Sequence, residues 1–358
     1  MQQSGYSTLR HILFKLDPEI AHNISIRLLA VAPKMGPVRR WLTNLFYYND
    51  SRLATRVFGL RFDNPVGVAA GYDKNAIAID GLASLGAGHV EVGTITPKAQ
   101  YGNQRPRIFR LPEDNALINR MGFPNHGMEK VAPRLELDRS IRLGANIGKG
   151  SDTPLDQAAS DYSKMITKFQ CLVDYLVINI SSPNTPGLRS LEGRDLLDSF
   201  LLPLMELHSK ECNDTPLLVK ISPDISMSAL DDLLDVVVGR GVSGLIATNT
   251  SLSRAGLRDS RYVKIGGLSG RPLHDRSNKV IQHIYRQTRG ELPIIGVGGI
   301  DNASAALEKI RSGASLVQVY TGLIYRGPGL IRQIKLGIVK ELEKLGLDSI
   351  EALVGVSL

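Results

Sequence analysis

Ser182 stands in the segment INISSPNTPGL (178–188), where a short apolar run gives way to a polar Ser-Pro-Asn loop. A serine hydroxyl acts as a base or nucleophile only when something activates it. The chain has no GxSxG elbow, and no histidine lies near Ser182 in sequence, which argues against a hydrolase triad. The residue alone is compatible with a structural loop serine or a catalytic one. Lys220 closes the apolar run Leu217-Leu218-Val219, and Lys74 follows Asp73. A lysine at the edge of a core needs an anion or an electron-rich ring beside it. Lys220 therefore reads as functional, whereas a local ion pair with Asp73 competes for Lys74. Asn119, Asn179, Asn184 and Asn249 each offer a donor and an acceptor. They suit a ligand with several carbonyl and N–H groups, although Asn184 could equally build a turn. Together these residues favour a polar, planar or anionic ligand held by directed hydrogen bonds, without a metal.

Such residues need a scaffold that brings them together. From about residue 60, short apolar runs alternate with helical stretches. The runs fall at 65–69, 89–93, 142–146, 175–180, 217–221, 244–248, 293–297 and 315–320. Eight strand–helix units over roughly 250 residues predict a (β/α)8 TIM barrel, an α/β fold. A doubly wound open sheet is the alternative, but no GxGxxG follows the first strand. Barrel active sites lie at the C-terminal strand ends. Those ends carry Ala69-Ala70-Gly71, Thr94, Asn146, Asn179, Lys220, Thr248-Asn249-Thr250, Gly298-Gly299 and Tyr320-Thr321. The glycines after strands seven and eight could free backbone N–H groups for a phosphate, or could be tight turns. GGLSG (266–270) is offered as a further phosphate loop. Residues 96–123 read as an elaborated loop over the barrel mouth.

Residues 1–50 differ in texture and predict a small α-helical extension. Leu9, Ile12, Leu13 and Leu16 form one apolar stripe; Ile20, Ile24, Leu28 and Val31 form a second. Asp17 is a plausible N-cap before Pro18. The chain has 358 residues, net charge +8 and 43% hydrophobic residues. Its basic residues form no tract and interleave with no aromatics, which argues against nucleic-acid binding. Cys171 and Cys212 lie in no ligand-like spacing, so disulfide, zinc and iron–sulfur sites are not expected, and a reducing compartment is. There is no apolar run of about 18 residues for a membrane span. The N-terminus has neither a secretory layout nor an Arg- and Ser-rich transit character.

Long motifs then match a known family. VGVAAGYDKNA (66–76), VEVGTITPKAQYGNQRPRIFRLPEDNALINRMGF (90–123), GANIGKG (144–150), INISSPNTPGLR (178–189), GGLSGRPL (266–273), IIGVGGI (294–300) and LVQVYTGLIYRGPGL (316–330) resemble dihydroorotate dehydrogenases. LDPEIAH (16–22) extends the resemblance to the membrane-associated, quinone-using class, class 2. The resemblance implies one FMN per subunit, oxidation of dihydroorotate to orotate in pyrimidine synthesis, and no metal. It implies that Ala69, Ala70, Gly71, Thr94, Asn146, Asn179, Lys220, Thr248, Ser269, Gly270, Gly299, Tyr320 and Thr321 bind FMN. Substrate would meet Lys74, Asn119, Arg120, Met121, Gly122, Phe123, Asn179, Asn184, Asn249 and Thr250. Ser182 would be the base; the soluble class carries cysteine at the matching position. Residues 1–50 would form the membrane and quinone-tunnel extension and 51–358 the catalytic barrel, with His22 and Arg110 at the quinone site. Simple packing on the barrel is the alternative for His22. Pro124 departs from the asparagine that many relatives carry. The expected protein is a monomer, peripheral on the cytoplasmic face of a bacterial inner membrane. Three rivals are a soluble FMN barrel using fumarate or NAD, a flavin-free sugar-phosphate barrel, and a basic nucleic-acid binder.

Overall fold

The computed structural model describes residues 2–136, 141–211, 214–259 and 265–357; Cys212 lies outside them. Three helices lead the chain: α1 (Gln2–Lys15), α2 (Pro18–Val31) and α3 (Gly36–Phe46). Asp17 caps α2, its carboxylate accepting from the Glu19 and Ile20 amides at 2.9 and 3.1 Å. The antiparallel hairpin β1 (Thr55–Val57) and β2 (Leu60–Phe62) follows. Then comes a closed parallel barrel of β3 (Val66–Val68), β4 (His89–Ile95), β7 (Arg142–Ile147), β8 (Tyr175–Asn179), β9 (Leu217–Ile221), β10 (Gly244–Ala247), β12 (Ile294–Val297) and β13 (Leu316–Val319). These are the eight runs read from the sequence. They are almost continuously apolar because helices cover their outer faces while side chains fill the inside.

Inward positions show how the barrel is filled. The His89 ring occupies the space that Gly67 leaves, and the Tyr175 ring the space that Gly144 leaves. Phe62 of the hairpin meets His89 edge-on at 5.5 Å and helps close the N-terminal end. One layer up, the interior turns polar, with Glu91, Asn146, Lys220 and Gln318 all buried.

The 96–123 stretch is more ordered than an elaborated loop. It holds β5 (Ile108–Leu111) and β6 (Ala116–Asn119). GGLSG likewise supplies a strand, β11 (Gly267–Gly270), which pairs antiparallel with β6. The sheet has its own small core of Leu111, Ala116, Ile118 and Leu268. Its two pieces lie about 150 residues apart, and such pairing leaves no local periodicity to read.

Apart from the half-buried Leu13, the extension's two apolar stripes face away from the barrel. Leu9, Ile12, Leu16, Ile20, Ile24, Leu28 and Val31 are exposed, as is Trp41 of α3. The barrel-facing contacts of α2 use Ala21, Ile26 and Glu19 instead. Glu19 is held by Arg107 at 2.7 Å and by Arg105 at 2.9 Å, which ties α2 to the segment before β5.

The pairing of a glycine with a large ring inside the barrel gives a test. Gly67→Ala would drive a methyl into the His89 ring and should cost about 1–3 kcal/mol. Combined with His89→Ala, the loss in the denaturant-unfolding midpoint should be smaller than the sum of the two single losses. Strict additivity would contradict this packing.

Candidate active site

Glu91 has no exposed surface and lies at the floor of the barrel mouth. Its Oε1 accepts from Asn146 Nδ2 at 2.8 Å and Lys220 Nζ at 3.4 Å; its Oε2 accepts from Gln318 Nε2 at 2.8 Å. An ionised carboxylate only accepts, so it fixes which way Asn146 points. Asn146 Oδ1 is then free to accept from the Thr94 hydroxyl at 2.6 Å and Asn179 Nδ2 at 3.1 Å. Asn179 Oδ1 in turn accepts from Asn249 Nδ2 at 3.1 Å. One buried carboxylate thus sets the polarity of three asparagines in series and pairs the lysine beside them.

The walls bring nearly all the expected residues to one cavity of about 1170 Å³, counting its open mouth. Ala69, Ala70, Gly71, Thr94, Asn179, Lys220, Thr248, Ser269, Gly270, Gly299, Tyr320 and Thr321 line it, as do Lys74, Asn119, Met121, Gly122, Phe123, Ser182, Asn184, Asn249 and Thr250. Two expected residues do not. Asn146 stands behind the wall and acts through Thr94 and Asn179. Arg120 turns away, donating to the Pro106 carbonyl at 2.9 Å.

Ser182 is almost wholly buried, and its Oγ accepts from the Asn184 amide at 3.2 Å. Asn184 Nδ2 reaches the Asn119 backbone and side-chain oxygens at 3.2 and 3.3 Å, joining the serine loop to β6 of the cap sheet. Arg189 fastens the same loop from below, donating to the Ser181 carbonyl at 3.0 Å, the Thr250 carbonyl at 2.7 Å and the Asp224 carboxylate at 2.8 Å.

The suspected ion pair of Lys74 with Asp73 does not form. Asp73 spends its carboxylate on the Asn75, Ile77 and Ala78 amides. Lys74 Nζ donates to the Gly71 carbonyl at 2.6 Å. Burial pushes its ammonium down to about 8. Lys74 also borders a second groove, lined by Glu19, His22, Tyr72 and Arg107 among others, and the two cavities share Lys74, Met121 and Pro124.

His22 and Arg110 lie between the extension and the barrel. His22 meets Tyr72 edge-on at 5.7 Å, and Tyr72 meets the cavity-lining Tyr320 at 5.8 Å. Burial, and then Lys74, push His22 down to about 3, so its ring is neutral. Arg110 donates to the Leu16 carbonyl at 2.8 Å and lies 4.6 Å from the Phe14 ring centroid. Phe14 in turn meets Tyr325, another cavity wall, at 5.4 Å. Tyr72, Tyr325, Gln318 and the structural role of Glu91 were not read from the sequence. The available signal for Glu91 and Gln318 was a polar residue at an inward position of an otherwise apolar strand.

The fold and mouth define a (β/α)8 barrel that takes a small ligand through amides, hydroxyls and lysines. Comparison with known proteins narrows this. The sequence model described as dihydroorotate dehydrogenase matches residues 52–342. Among curated relatives, the dihydroorotate dehydrogenase (quinone) of Roseiflexus sp. (strain RS-1) is 46% identical, covering 99% of this chain and 98% of that one. The protein of the same name from Anaeromyxobacter dehalogenans (strain 2CP-C) is 47% identical, covering 98% and 96%. The crystal structure of DHODH in complex with ferulenol from Eimeria tenella superposes with a TM-score of 0.87 at 40% identity, covering 95% of this chain and 96% of that one. The chain belongs to the dihydroorotate dehydrogenase family.

Breaking a buried ion pair from one side costs more than removing both partners. Glu91→Gln should therefore lose about 3–5 kcal/mol in denaturant unfolding. Glu91→Leu combined with Lys220→Met should recover most of that loss. A Glu91→Gln chain as stable as the native one would contradict the pairing.

Proposed function

We propose that the chain oxidises dihydroorotate to orotate in pyrimidine synthesis, using bound FMN and passing the electrons to a quinone. Family membership and relatives named as quinone-dependent support this reading. The observation that carries it is the convergence of Ser182, Lys74, Lys220 and the amides of Asn119, Asn184 and Asn249 on one cavity.

The residues present fit FMN. Thr248 Oγ1 is buried at the cavity wall with no hydrogen-bond partner among the described residues, so a ligand atom there would satisfy it. Gly298 and Gly299 both have positive φ, and Ser269 and Thr321 place their hydroxyls 2.9 Å apart near the same end. The residues named for FMN from the sequence would hold it, with Asn146 acting from behind. When bound, FMN supplies a two-electron acceptor. Lys220 offers positive charge where negative charge develops, from an already organised position. Lys74 and the asparagines bind the substrate carboxylate and ring amides and hold the ring in line. Ser182 Oγ accepts the proton from C5 of dihydroorotate and releases its own proton to water. No acid or histidine lies within hydrogen-bonding distance of this hydroxyl among the described residues, so its own proton must go to solvent, which higher pH favours.

We assign residues 1–50 to membrane docking and quinone access, and 51–358 to catalysis. Two observations support the first assignment. The exposed stripes of α1 and α2 form an unpartnered apolar face, and basic residues outnumber acids around them. Such a face suits an anionic membrane interface, here the cytoplasmic face of a bacterial inner membrane. No helix among the described residues is long and apolar enough to cross a membrane. His22 and Arg110, with their aromatic neighbours, lie between this face and the mouth and are the residues we assign to quinone.

The purified chain should be yellow, should bleach with dihydroorotate in the absence of oxygen, and should recolour with a quinone. Ser182→Ala should slow the bleaching by at least about a hundredfold near neutral pH. Equal rates would remove Ser182 from the mechanism.

The pH dependence should have two parts of opposite sign. The bleaching rate should rise with pH through the serine. The KM for dihydroorotate should be low below pH 8, where Lys74 is charged, and should climb above it. In Lys74→Met the KM should be high throughout and lose that climb. A profile flat between about pH 6 and 9 would contradict both assignments.

A further inference from the structure

Lys309 is buried behind the glycine loop that follows β12, and no carboxylate among the described residues forms an ion pair with it. It lies on α10 (Ala303–Arg311), and its stem fills the space that Gly296 leaves by lacking a side chain. Its Nζ donates to Asn278 Oδ1 at 2.6 Å and to Ser277 Oγ at 3.0 Å, both neutral. Both acceptors lie on α9 (His274–Gln287). The acids that influence it most are Glu308 on its own helix and Asp275 on α9, and neither forms an ion pair with it. Glu308 is engaged by His274 at 2.9 Å, and on the neighbouring α12 (Leu330–Leu345) Glu341 is engaged by Arg311.

Lys335 shows what a structural buried lysine looks like in this chain. Its ammonium donates to the Gly86 and Tyr48 carbonyls and lies 5.5 Å from the Tyr47 ring centroid. Among the described residues Lys309 has no carbonyl and no ring. Asn278 leads on to His274 at 3.1 Å, whereas Ser277 leads to the cavity wall and, since lysine only donates, must turn its own proton elsewhere. The Ser277 hydroxyl donates to the Val297 carbonyl at 2.6 Å. Val297, Gly298 and Gly299 all line the cavity.

A buried charge needs an opposite charge, and among the described residues no carboxylate forms an ion pair with this one. We infer that Lys309 balances the charge of a phosphate monoester held by the 297–299 loop, acting through Ser277 from behind that loop. It is a positioning residue and does not touch the ligand. The inference rests on the FMN reading, because that ligand brings the phosphate. Burial also lowers Lys309 to about 7, so near neutral pH the empty site holds it only partly protonated. An arriving phosphate raises its proton affinity, and binding above pH 7 takes up a proton.

The test uses the full-length chain freed of flavin and titrated with FMN and with riboflavin, which lacks the phosphate. Lys309→Met should weaken FMN binding by about tenfold and leave riboflavin binding unchanged. Lys309→Arg should restore most of the FMN affinity. In the native chain, calorimetry at pH 8 in two buffers of different ionisation enthalpy should show proton uptake with FMN and none with riboflavin, and this reading needs no variant to fold. Equal loss for both flavins would make Lys309 merely structural and overturn the inference, as would unaltered FMN binding or an absence of proton uptake. If the native chain bound neither flavin, the FMN reading would fall and the inference with it.

Discussion

A carboxylate with no access to water, Glu91, meets a lysine at the floor of the barrel mouth, and the neighbouring polar side chains take their orientation from that pair. Charges this deep are tolerated when each has its partner and the remaining hydrogen-bonding capacity is filled. Glu91 satisfies Lys220, Asn146 and Gln318 together. Because it cannot donate, every amide downstream has a defined polarity, and the mouth presents Thr94, Asn179 and Asn249 in one arrangement. A site organised before its ligand arrives avoids reorganisation during reaction. The same pair also limits how much positive charge Lys220 can offer to a ligand.

Inside the barrel, aromatic rings below and the polar layer above are consecutive inward positions of the same strands. His89 and Glu91 differ by two residues on β4, and Tyr175, Val177 and Asn179 continue the rule on β8. Alternation therefore places a packed plug and a ligand floor on one set of strands. The cap sheet closes the mouth from the other side. There Asn119 ends β6 and meets Asn184 of the serine loop, so the loop carrying Ser182 is held both by the barrel and by the cap.

Much of this was legible in the sequence. The eight strands could be read because parallel strands buried on both faces are apolar runs with clear ends, and their ends gave Lys220, Asn179 and Asn249 directly, whereas Ser182 took its role only from the family resemblance. The cap sheet could not be read, because β6 and β11 find each other across about 150 residues. Arg120 was carried along by its neighbours in the NRMGF motif, yet its guanidinium is spent on a carbonyl outside the cavity. Glu91 interrupts an otherwise apolar strand, but its role depends on partners from three other strands. The stripes of α1 and α2 were visible too. Which way they turn was not, since an apolar stripe looks the same whether it packs on a barrel or lies exposed.

The claim on which the account turns is that Glu91 restrains the charge of Lys220 at the ligand. With FMN bound as proposed, the direct measurement is the midpoint potential of that flavin in the native chain and in Glu91→Gln at neutral pH. Freed from its counter-charge, Lys220 should stabilise the reduced, more negative ring. The equilibrium constant for reduction should rise by about tenfold, or about 30 mV for a two-electron couple. A Glu91→Gln chain that binds flavin fully and keeps the native potential would contradict the account.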